Sequence, residues 1–481
     1  MIKSVEFKNF RNLEGKYNFN ENLNVIIGKN NSGKTNILEG IKLAFSTINN
    51  EYFKISITDF KNSNDNDNIE INVELDIDAI PSLNFYDENC KEKCGFKVKV
   101  KRTQSGRYVK DISLLNGTPI SIDILREDEK IPNVYSIPLI RVEDIYTAGV
   151  TTGISNFIDS EEKYKELKNE SKKKIKEELQ PKTLKFKELC RKFNENLEIE
   201  LTDPKISNER VYIVDGKFEH NIHIGSGYKS IANIMLNTLD EKFNIILIDE
   251  IENHLHPALI RTLIREIRSI KNTTIIATTH SPVVINELNM EEITDVSGKE
   301  LKNLEAKNLN KLNTFLHSGR NELMLADNVI LVEGYTEEIL LKNYLKKNNY
   351  NWTVINVAGV MFEPYIELGC LLNKKIIVVS DNDKSLSSED KESPRFKNLK
   401  KLCFDKKIKL IEVENTLETD LYNSGFLNGC VDLIKKHKKN EKYFVAKEKK
   451  KVEIAERLIE NNVNLNNWHV IEEMKDEFKS N

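Results

Sequence analysis

The chain has no apolar run near the ~18 residues that a membrane-spanning helix needs, so no membrane partner is expected. No secretory leader is expected at the start either. Met1-Ile-Lys-Ser-Val-Glu-Phe7 reads as a strand, without a charged segment leading into an apolar one. Cysteine is scarce, with 6 in 481 residues, and Cys90 and Cys94 are the only close pair. No second pair and no histidine cluster accompanies them. That excludes a disulfide framework and the usual zinc patterns, and it points to reduced thiols in the cytoplasm. No internal repeat is found, hence no solenoid is expected. A strong charge bias is missing too: Lys and Arg number 72 against 76 Asp and Glu, for a net charge of -4. Bulk charge therefore announces no nucleic-acid partner. One stretch breaks the balance, with nine Lys and two Glu between Lys435 and Lys451. By itself this reads as a solvated helix face; beside a metal site acting on DNA it would read as a grip on phosphates.

What is present suffices for real cores: 39% of the residues are hydrophobic and 31% charged. A length of 481 residues calls for two or three domains. Short alternating runs at Ile2–Phe7, Leu23–Ile27, Ile69–Ile77 and Phe96–Lys101 read as strands of a mixed sheet. Turn clusters such as 61–68 separate them, and one helix is expected after Gly33. From 158 to 200 the period changes. Tyr164, Leu167, Ile175, Leu179, Leu184, Leu189 and Phe193 recur at helical spacing, broken at Pro181, which predicts an inserted helical hairpin. Strands resume near Val211–Val214, Ile245–Ile248 and Thr274–Ala277. Signals are mixed from 285 to 327, where a domain connection is expected. Residues 328–425 alternate strand and helix, the pattern of a small parallel α/β unit, and a helical tail follows.

Gly28-Lys-Asn-Asn-Ser-Gly33-Lys34-Thr35 is a complete phosphate-binding loop, set between an apolar run and a helical segment. In such a loop the backbone N–H groups of Asn30, Asn31, Ser32, Gly33 and Asn36 face phosphate oxygens. Lys34 bridges the terminal phosphates, Thr35 holds Mg²⁺, and the helix N-terminus adds positive potential. Ile245-Ile-Leu-Ile-Asp249-Glu250 supplies the complementary strand: Asp249 for the metal, Glu250 to orient and deprotonate water. His254 and His256 are two residues apart and on a helix would face different ways, so zinc is not expected there.

Asp249-Glu250 followed by Leu255-His256-Pro257 and by Thr278-Thr-His280-Ser-Pro282 resembles the ATP-binding-cassette heads of structural-maintenance and recombination-repair ATPases. The resemblance makes His280 the switch histidine at the γ-phosphate. The opening Phe7-Lys-Asn-Phe-Arg11-Asn12-Leu is also typical of those heads, and it adds Arg11 and Asn12 to the nucleotide-binding set. Gly225-Ser226-Gly227-Tyr-Lys-Ser230 is the candidate signature segment, although it departs from Leu-Ser-Gly-Gly-Gln; Asp59 lies where a Gln-loop would. Because such heads complete each other's ATP sites, the resemblance implies a homodimer or homotetramer.

The acidic strand ends form a second constellation. Leu331-Val-Glu333-Gly-Tyr-Thr-Glu337 and Ile376-Ile-Val-Val-Ser-Asp381-Asn-Asp383 each place carboxylates at or past a buried strand. Carboxylates gathered at one sheet edge repel, and hard oxygen ligands favour Mg²⁺ or Mn²⁺. These motifs resemble a Toprim domain, in the version of the OLD (overcoming lysogenisation defect) family of ATPase-nucleases, which includes the Gabija defence nuclease subunit. Asn356–Tyr365, Thr416-Leu-Glu418-Thr-Asp420-Leu421 and Lys451-Val-Glu-Ile-Ala455 also fit, with Val452 where that family has Gly. The resemblance implies Glu333, Glu337, Asp381, Asp383, Glu418 and Asp420 as metal ligands for two-metal phosphodiester hydrolysis, and Lys451 as a cation on the phosphate.

The expected fold is therefore α/β: a cassette-type ATPase head at 1–157 and 206–325, a helical dimerisation insert at 158–205, and a Toprim domain with a helical tail at 326–481. The expected activity is ATP-regulated, metal-dependent DNA cleavage in the cytoplasm, with ATP and Mg²⁺ or Mn²⁺ as cofactors and DNA as substrate. The resemblance further implies anti-phage defence and a UvrD-like helicase or other defence partner. Two other classes remain open. One is a recombination-mediator-like DNA-binding ATPase with an inactive Toprim domain. The other is a primase- or topoisomerase-like Toprim enzyme, against which stand the cassette head and the little room for a separate breakage domain with its tyrosine nucleophile.

Overall fold

The structure, a computed structural model, describes residues 2–29, 31–49, 53–76, 94–120, 134–137, 184, 188–194, 197–201, 211–215, 226–239, 244–271, 273–299, 303–314, 317–359, 361–382, 392–438, 441–448 and 450–479. Two compact units emerge, Met1–Glu300 and Leu301–Asn481. Among the described residues, no helix is long and apolar enough to cross a membrane.

In the first unit the strands are β1 (Ile2–Phe10), β2 (Leu13–Asn18), β3 (Leu23–Ile27), β4 (Ile69–Leu75), β5 (Cys94–Arg102), β6 (Tyr108–Leu114), β7 (Val134–Ile137), β8 (Leu197–Leu201), β9 (Val211–Asp215), β10 (Ile245–Ile248), β11 (Thr274–Thr279) and β12 (Ile293–Asp295). The helices are α1 (Lys34–Ile48), α2 (Ser226–Leu239), α3 (Pro257–Arg268) and α4 (Pro282–Glu287). One mixed sheet was expected at the N-terminal end; the structure has two. An antiparallel sheet runs β2-β1-β4-β5-β6, and a parallel sheet runs β12-β3-β11-β10-β7. The residues show why. Along β4 buried and half-buried positions alternate strictly, one face inward, whereas all of β3, β10 and β11 is buried, as a parallel strand covered on both sides must be. Helix α1 buries Ile37, Ile41, Ala44, Phe45 and Ile48, a stripe at 3.6 spacing, into the core shared with Phe7, Phe10 and Phe96.

Most of the predicted insert at 158–205, including Pro181, lies outside the described residues. Its end differs from expectation: Leu197–Leu201 is a strand, paired antiparallel with β9. The alternation Leu197-Glu-Ile-Glu-Leu201 has period two, which a helix cannot use.

The second unit begins with α5 (Ala306–Thr314) and α6 (His317–Leu325). Then come β13 (Asn328–Val332), α7 (Tyr335–Lys347), β14 (Thr353–Asn356), α8 (Phe362–Leu371), β15 (Lys375–Asp381), α9 (Pro394–Asp405), β16 (Lys409–Val413) and α10 (Leu417–Asn423). The hairpin β17 (Ile434–Lys436) and β18 (Phe444–Ala446), α11 (Lys451–Glu460) and α12 (His469–Lys479) complete it. The sheet order is β14-β13-β15-β16, all parallel. The expected boundary near 325 moves to 300 because α5 and α6 pack here. Asn308 Nδ2 donates to Glu367 Oε2 of α8 at 2.7 Å, and Lys374 Nζ donates to the Met324 carbonyl at 2.9 Å.

Candidate functional site

In the first unit, β3, β11 and β10 are parallel neighbours, so the loops at their C-terminal ends share one edge. The loop after β3 carries residues 28–35, β10 ends at Asp249 and Glu250, and β11 ends at His280. Thr35 Oγ1 donates to Asp249 Oδ2 at 2.9 Å, so the two residues of the predicted metal pair meet across 214 positions of sequence. Thr278 holds the same strand end in register: its hydroxyl donates to Asp249 Oδ1 at 2.6 Å and accepts the Glu250 N–H at 2.8 Å. Glu250 is held at φ 50, a left-handed conformation that costs a non-glycine residue and is kept only where surroundings enforce it. His280 Nδ1 stands 3.7 Å from Glu250 Oε1 and 3.3 Å from Glu252 Oε1. Glu252 also accepts from Thr279 Oγ1 and from the His280 N–H. Thr278 was read from sequence only as the start of the His280 motif, and Glu252, which flanks Asp249-Glu250, was not singled out.

Lys34 is 7% exposed. Its ammonium donates to the carbonyls of Gly28 and Lys29 at 2.8 and 2.6 Å. Burial pulls its pKa down, and Glu250, Asp249 and Glu252 push it back up. Gly33 has φ 103, and a Cβ there would stand 2.6 Å from Asn12 Nδ2, so only glycine fits. Asn12 Nδ2 donates to the Ser32 carbonyl, and Asn36 Nδ2 donates to Asn12 Oδ1. Ser32 Oγ donates to the Lys29 carbonyl, and Asn31 has φ 65. Arg11 is committed to protein partners: Asp59 Oδ1 at 2.8 and 3.0 Å, Asn36 Oδ1 at 2.8 Å and Glu39 Oε2 at 2.5 Å. Asp59, expected near a Gln-loop, is a 4%-exposed counter-ion for Arg11. Ser226 and Gly227 open α2, with Gly227 against the carbonyl of His254. His256 caps α3, its Nδ1 accepting the Ala258 N–H. Asn30 lies outside the described residues.

In the second unit, Glu333 follows β13 and Asp381 ends its neighbour β15, where Ser380 Oγ approaches Glu333 Oε2 at 3.3 Å. Glu337 sits in the first turn of α7. A Cβ on Gly334 would stand 3.0 Å from Glu337 Oε2, which explains the Glu-Gly pair: the glycine makes room for a carboxylate folding back over the helix start. Burial pushes Glu337 up to about 7; nearby Glu418 and Glu333 add to the rise, while its own backbone N–H and Lys451 oppose it. Burial likewise raises Glu418, opposed by Lys451 and by backbone N–H groups including that of Ala446. Glu333, Glu337, Glu418 and Lys451 therefore share one electrostatic neighbourhood. Thr336 Oγ1 ties α7 to α11 by donating to the Lys451 carbonyl at 3.0 Å. A set of hard oxygens with shared, under-neutralised charge suits a divalent cation. Asp383 lies outside the described residues.

Asp420 has protein partners of its own. Its Oδ2 accepts from the buried indole Nε1 of Trp468 at 2.6 Å, and its Oδ1 faces His469 Nδ1 at 3.4 Å. Two residues beyond Glu418 on α10, it anchors α12 through these contacts. Sequence reading also missed Arg395, whose guanidinium grips Glu333 in bidentate fashion at 2.9 and 2.8 Å and donates to the Gly359 carbonyl at 2.8 Å. No motif flags it; only folding brings α9 back to β13.

A phosphate loop with its acidic strand end in one unit, and a carboxylate cluster on a parallel sheet in the other, define an ATPase head joined to a Toprim domain. Three family models match in that order: AAA ATPase domain over residues 1–226, the AAA domain described as putative AbiEii toxin, Type IV TA system over 223–286, and the overcoming lysogenization defect protein-like TOPRIM domain over 324–383. The chain thus matches an AAA ATPase domain followed by an OLD-like Toprim domain, where its motifs had led us to expect a cassette-type ATPase head before that Toprim domain. Endonuclease GajA of Bacillus cereus (strain HuB5-5) is 26% identical in a match covering 34% of this chain and 30% of GajA, under a third of that relative's length. The DNA replication and repair protein RecF of Lactococcus lactis subsp. lactis (strain IL1403) is 56% identical over 41 residues, 8% of this chain and 12% of RecF. Among solved structures, an SMC head bound to the C-winged helix domain of ScpA aligns with TM-score 0.45 and 14% identity, covering 61% of this chain and 94% of that one. The SMC head domain from Thermotoga maritima aligns with TM-score 0.37, 14% identity and the same coverages.

Proposed function

We propose that this chain is an ATP-regulated, metal-dependent DNA endonuclease of the OLD type, acting as a homo-oligomer in anti-phage defence. The observation that carries the proposal is the meeting of Glu333, Glu337 and Glu418 with Lys451 beside the Asp381 strand end. Two of these acids, Glu337 and Glu418, are buried, and burying carboxylates is costly where they serve structure alone. The name of the relative GajA supports DNA cleavage as the activity. The short RecF matches favour a mediator-like reading for the head alone, and the acidic set speaks against extending it to the whole chain.

In the second unit, Glu333, Glu337, Asp381 and Glu418 would hold Mg²⁺ or Mn²⁺, with Asp383 added from the sequence motif. Bound there, two such ions supply an activated water and a charge clamp on the leaving oxygen. Lys451 stands close enough to Glu337 and Glu418 to neutralise charge growing on the scissile phosphate. In the head, Lys34 would leave the Gly28 and Lys29 carbonyls for the terminal phosphates of ATP, and Thr35 and Asp249 would hold Mg²⁺. Glu250, aligned by Thr278, would take the proton of the attacking water, and His280 would contact the γ-phosphate. The test is a supercoiled-plasmid nicking assay with Mg²⁺ or Mn²⁺, run beside phosphate release from ATP. Wild-type protein should nick, Asp381→Ala should not, and Asp381→Ala should keep its ATPase turnover. Full nicking by Asp381→Ala would overturn the assignment.

A further inference from the structure

The lysine-rich run that reads as a helix face in sequence folds partly into a hairpin. β17 pairs antiparallel with β18, with Ile434 opposite Ala446, Lys435 opposite Val445 and Lys436 opposite Phe444. Lys435, Lys436 and Lys438 are exposed, and none makes an ion pair with a described residue. Some surface lysines of this unit sit on carboxylates, Lys342 on Glu338 at 2.7 Å, Lys375 on Glu477 at 2.8 Å and Lys400 on Glu392 at 3.1 Å, whereas the hairpin gathers its exposed lysines on one short element. Glu441 is the single acid between Lys435 and Ala446. The hairpin thus concentrates positive charge in a chain whose net charge is -4.

Its placement is fixed by the acidic cluster's own support. The Phe444 carbonyl accepts from Thr416 Oγ1 at 2.6 Å and Thr419 Oγ1 at 3.1 Å, and the Phe444 N–H donates to Thr419 Oγ1 at 2.8 Å. The Ala446 N–H reaches the Glu418 carboxylate. The Tyr422 ring lies 4.2 Å from the Phe444 ring, centroid to centroid. β18 therefore touches a residue of the metal cluster, and β17 lies one strand further out. With strands ~4.8 Å apart and extended lysines, the β17 ammonium groups stand about 10–15 Å from Glu418, roughly three to four nucleotides along one strand.

We propose that this hairpin is the duplex-gripping element of the nuclease centre, holding the DNA backbone beside the scissile phosphate through Lys435, Lys436 and Lys438. The inference rests on the endonuclease reading and names how that site meets its substrate. Lysine is a point charge without the fork that reads bases, so the grip is independent of sequence and sensitive to salt. It also offsets the repulsion between a polyanion and clustered carboxylates.

The test is fluorescence anisotropy of a labelled duplex with full-length protein in EDTA, where binding is read without cleavage. Each phosphate contact contributes ~0.9 to the slope of log affinity against log salt, so replacing the three lysines with Ala should flatten the slope by about 2.7. Between 50 and 200 mM salt, the advantage of wild type over the triple variant should shrink about 40-fold. Replacing the same three with Arg should preserve the slope, and an unchanged thermal unfolding transition together with unchanged Mn²⁺ affinity in both variants reports an intact second unit. If wild type binds and nicks DNA while the triple Ala variant keeps its slope, the hairpin is not the grip and the endonuclease reading stands. If wild type neither binds nor nicks DNA, both fall.

Discussion

Arg395 offers a test that does not depend on turnover. Its two N–H groups occupy both oxygens of Glu333, one of the proposed metal ligands. A cation arriving at Glu333 must share or displace that guanidinium. Two unit charges ~4 Å apart at an effective dielectric of ~20 attract by about 4 kcal/mol. Desolvation and the entropy of fixing the side chain take back much of this, leaving about 1.5–3 kcal/mol for a charge-assisted pair. The side chains of Arg395 and Glu333 are 31% and 21% exposed, so solvent screening favours the lower end. Arg395→Gln should therefore tighten Mn²⁺ binding about ten- to thirty-fold, at ~1.4 kcal/mol per tenfold. Calorimetric titration of the full chain without nucleotide would measure it, with Asp381→Ala as the reference that weakens the centre. Unchanged or weaker Mn²⁺ affinity in Arg395→Gln would refute the idea that the arginine stands in for the metal.

The other predictions concern both units. Lys34→Ala should abolish ATP binding, and Glu250→Gln should bind ATP without hydrolysing it; normal turnover in either contradicts the assigned roles. Asp381→Ala and Glu250→Gln should separate the activities, the first losing cleavage and keeping turnover, the second losing turnover with its cutting residues intact and thereby revealing the sign of ATP regulation. Light scattering at micromolar concentration should show at least a dimer; a monomer with and without ATP would count against the oligomer. Glu337, held up to about 7, binds its proton in the folded chain at pH values where an unfolded carboxylate is ionised. Its contribution to stability is therefore present at low pH and lost as pH rises through about 7. In EDTA, thermal unfolding should show a downward slope between about pH 4.5 and 7 that Glu337→Gln removes, and identical profiles for the two proteins would exclude it.

Legibility in the sequence followed the range of the interactions. β3 and β10 begin and end where the apolar runs Leu23–Ile27 and Ile245–Ile248 do, because a strand covered on both faces writes its whole length in apolar residues. The phosphate loop and the Glu333-Gly334 pair were legible because each residue type answers a local need, and Gly334 clears the way for Glu337. The division of the first unit into two sheets was not, since strand partners separated by dozens of residues leave no local mark. Leu197–Leu201 was absorbed into the preceding helical pattern, although its period-two alternation was there to be read. Asp420 was assigned by its place in a motif, yet its carboxylate answers to Trp468 and His469, some fifty residues further on. Arg395 and Asp59 each act through a partner on another element, and nothing in their own neighbourhoods names it.

The two centres neutralise their acids by different means, and the difference bears on what each awaits. In the head, Asp249 accepts from the hydroxyls of Thr35 and Thr278, and Glu252 accepts from Thr279 and the His280 N–H. Those donors are short, uncharged and fixed to strand ends or the start of a helix, so the edge is held together by its own residues, while the Lys34 ammonium rests on the Gly28 and Lys29 carbonyls. In the second unit, Glu337 and Glu418 are each under a tenth exposed, with burial opposing their ionisation. Their relief comes from backbone N–H groups and from Lys451, while Arg395 grips Glu333. Apolar side chains at those positions would stabilise the fold more cheaply than buried carboxylates. On the proposed reading, buried acids there suit a centre whose stability and chemistry a cation would complete together, and metal binding would then be coupled to folding in the second unit more tightly than nucleotide binding in the first.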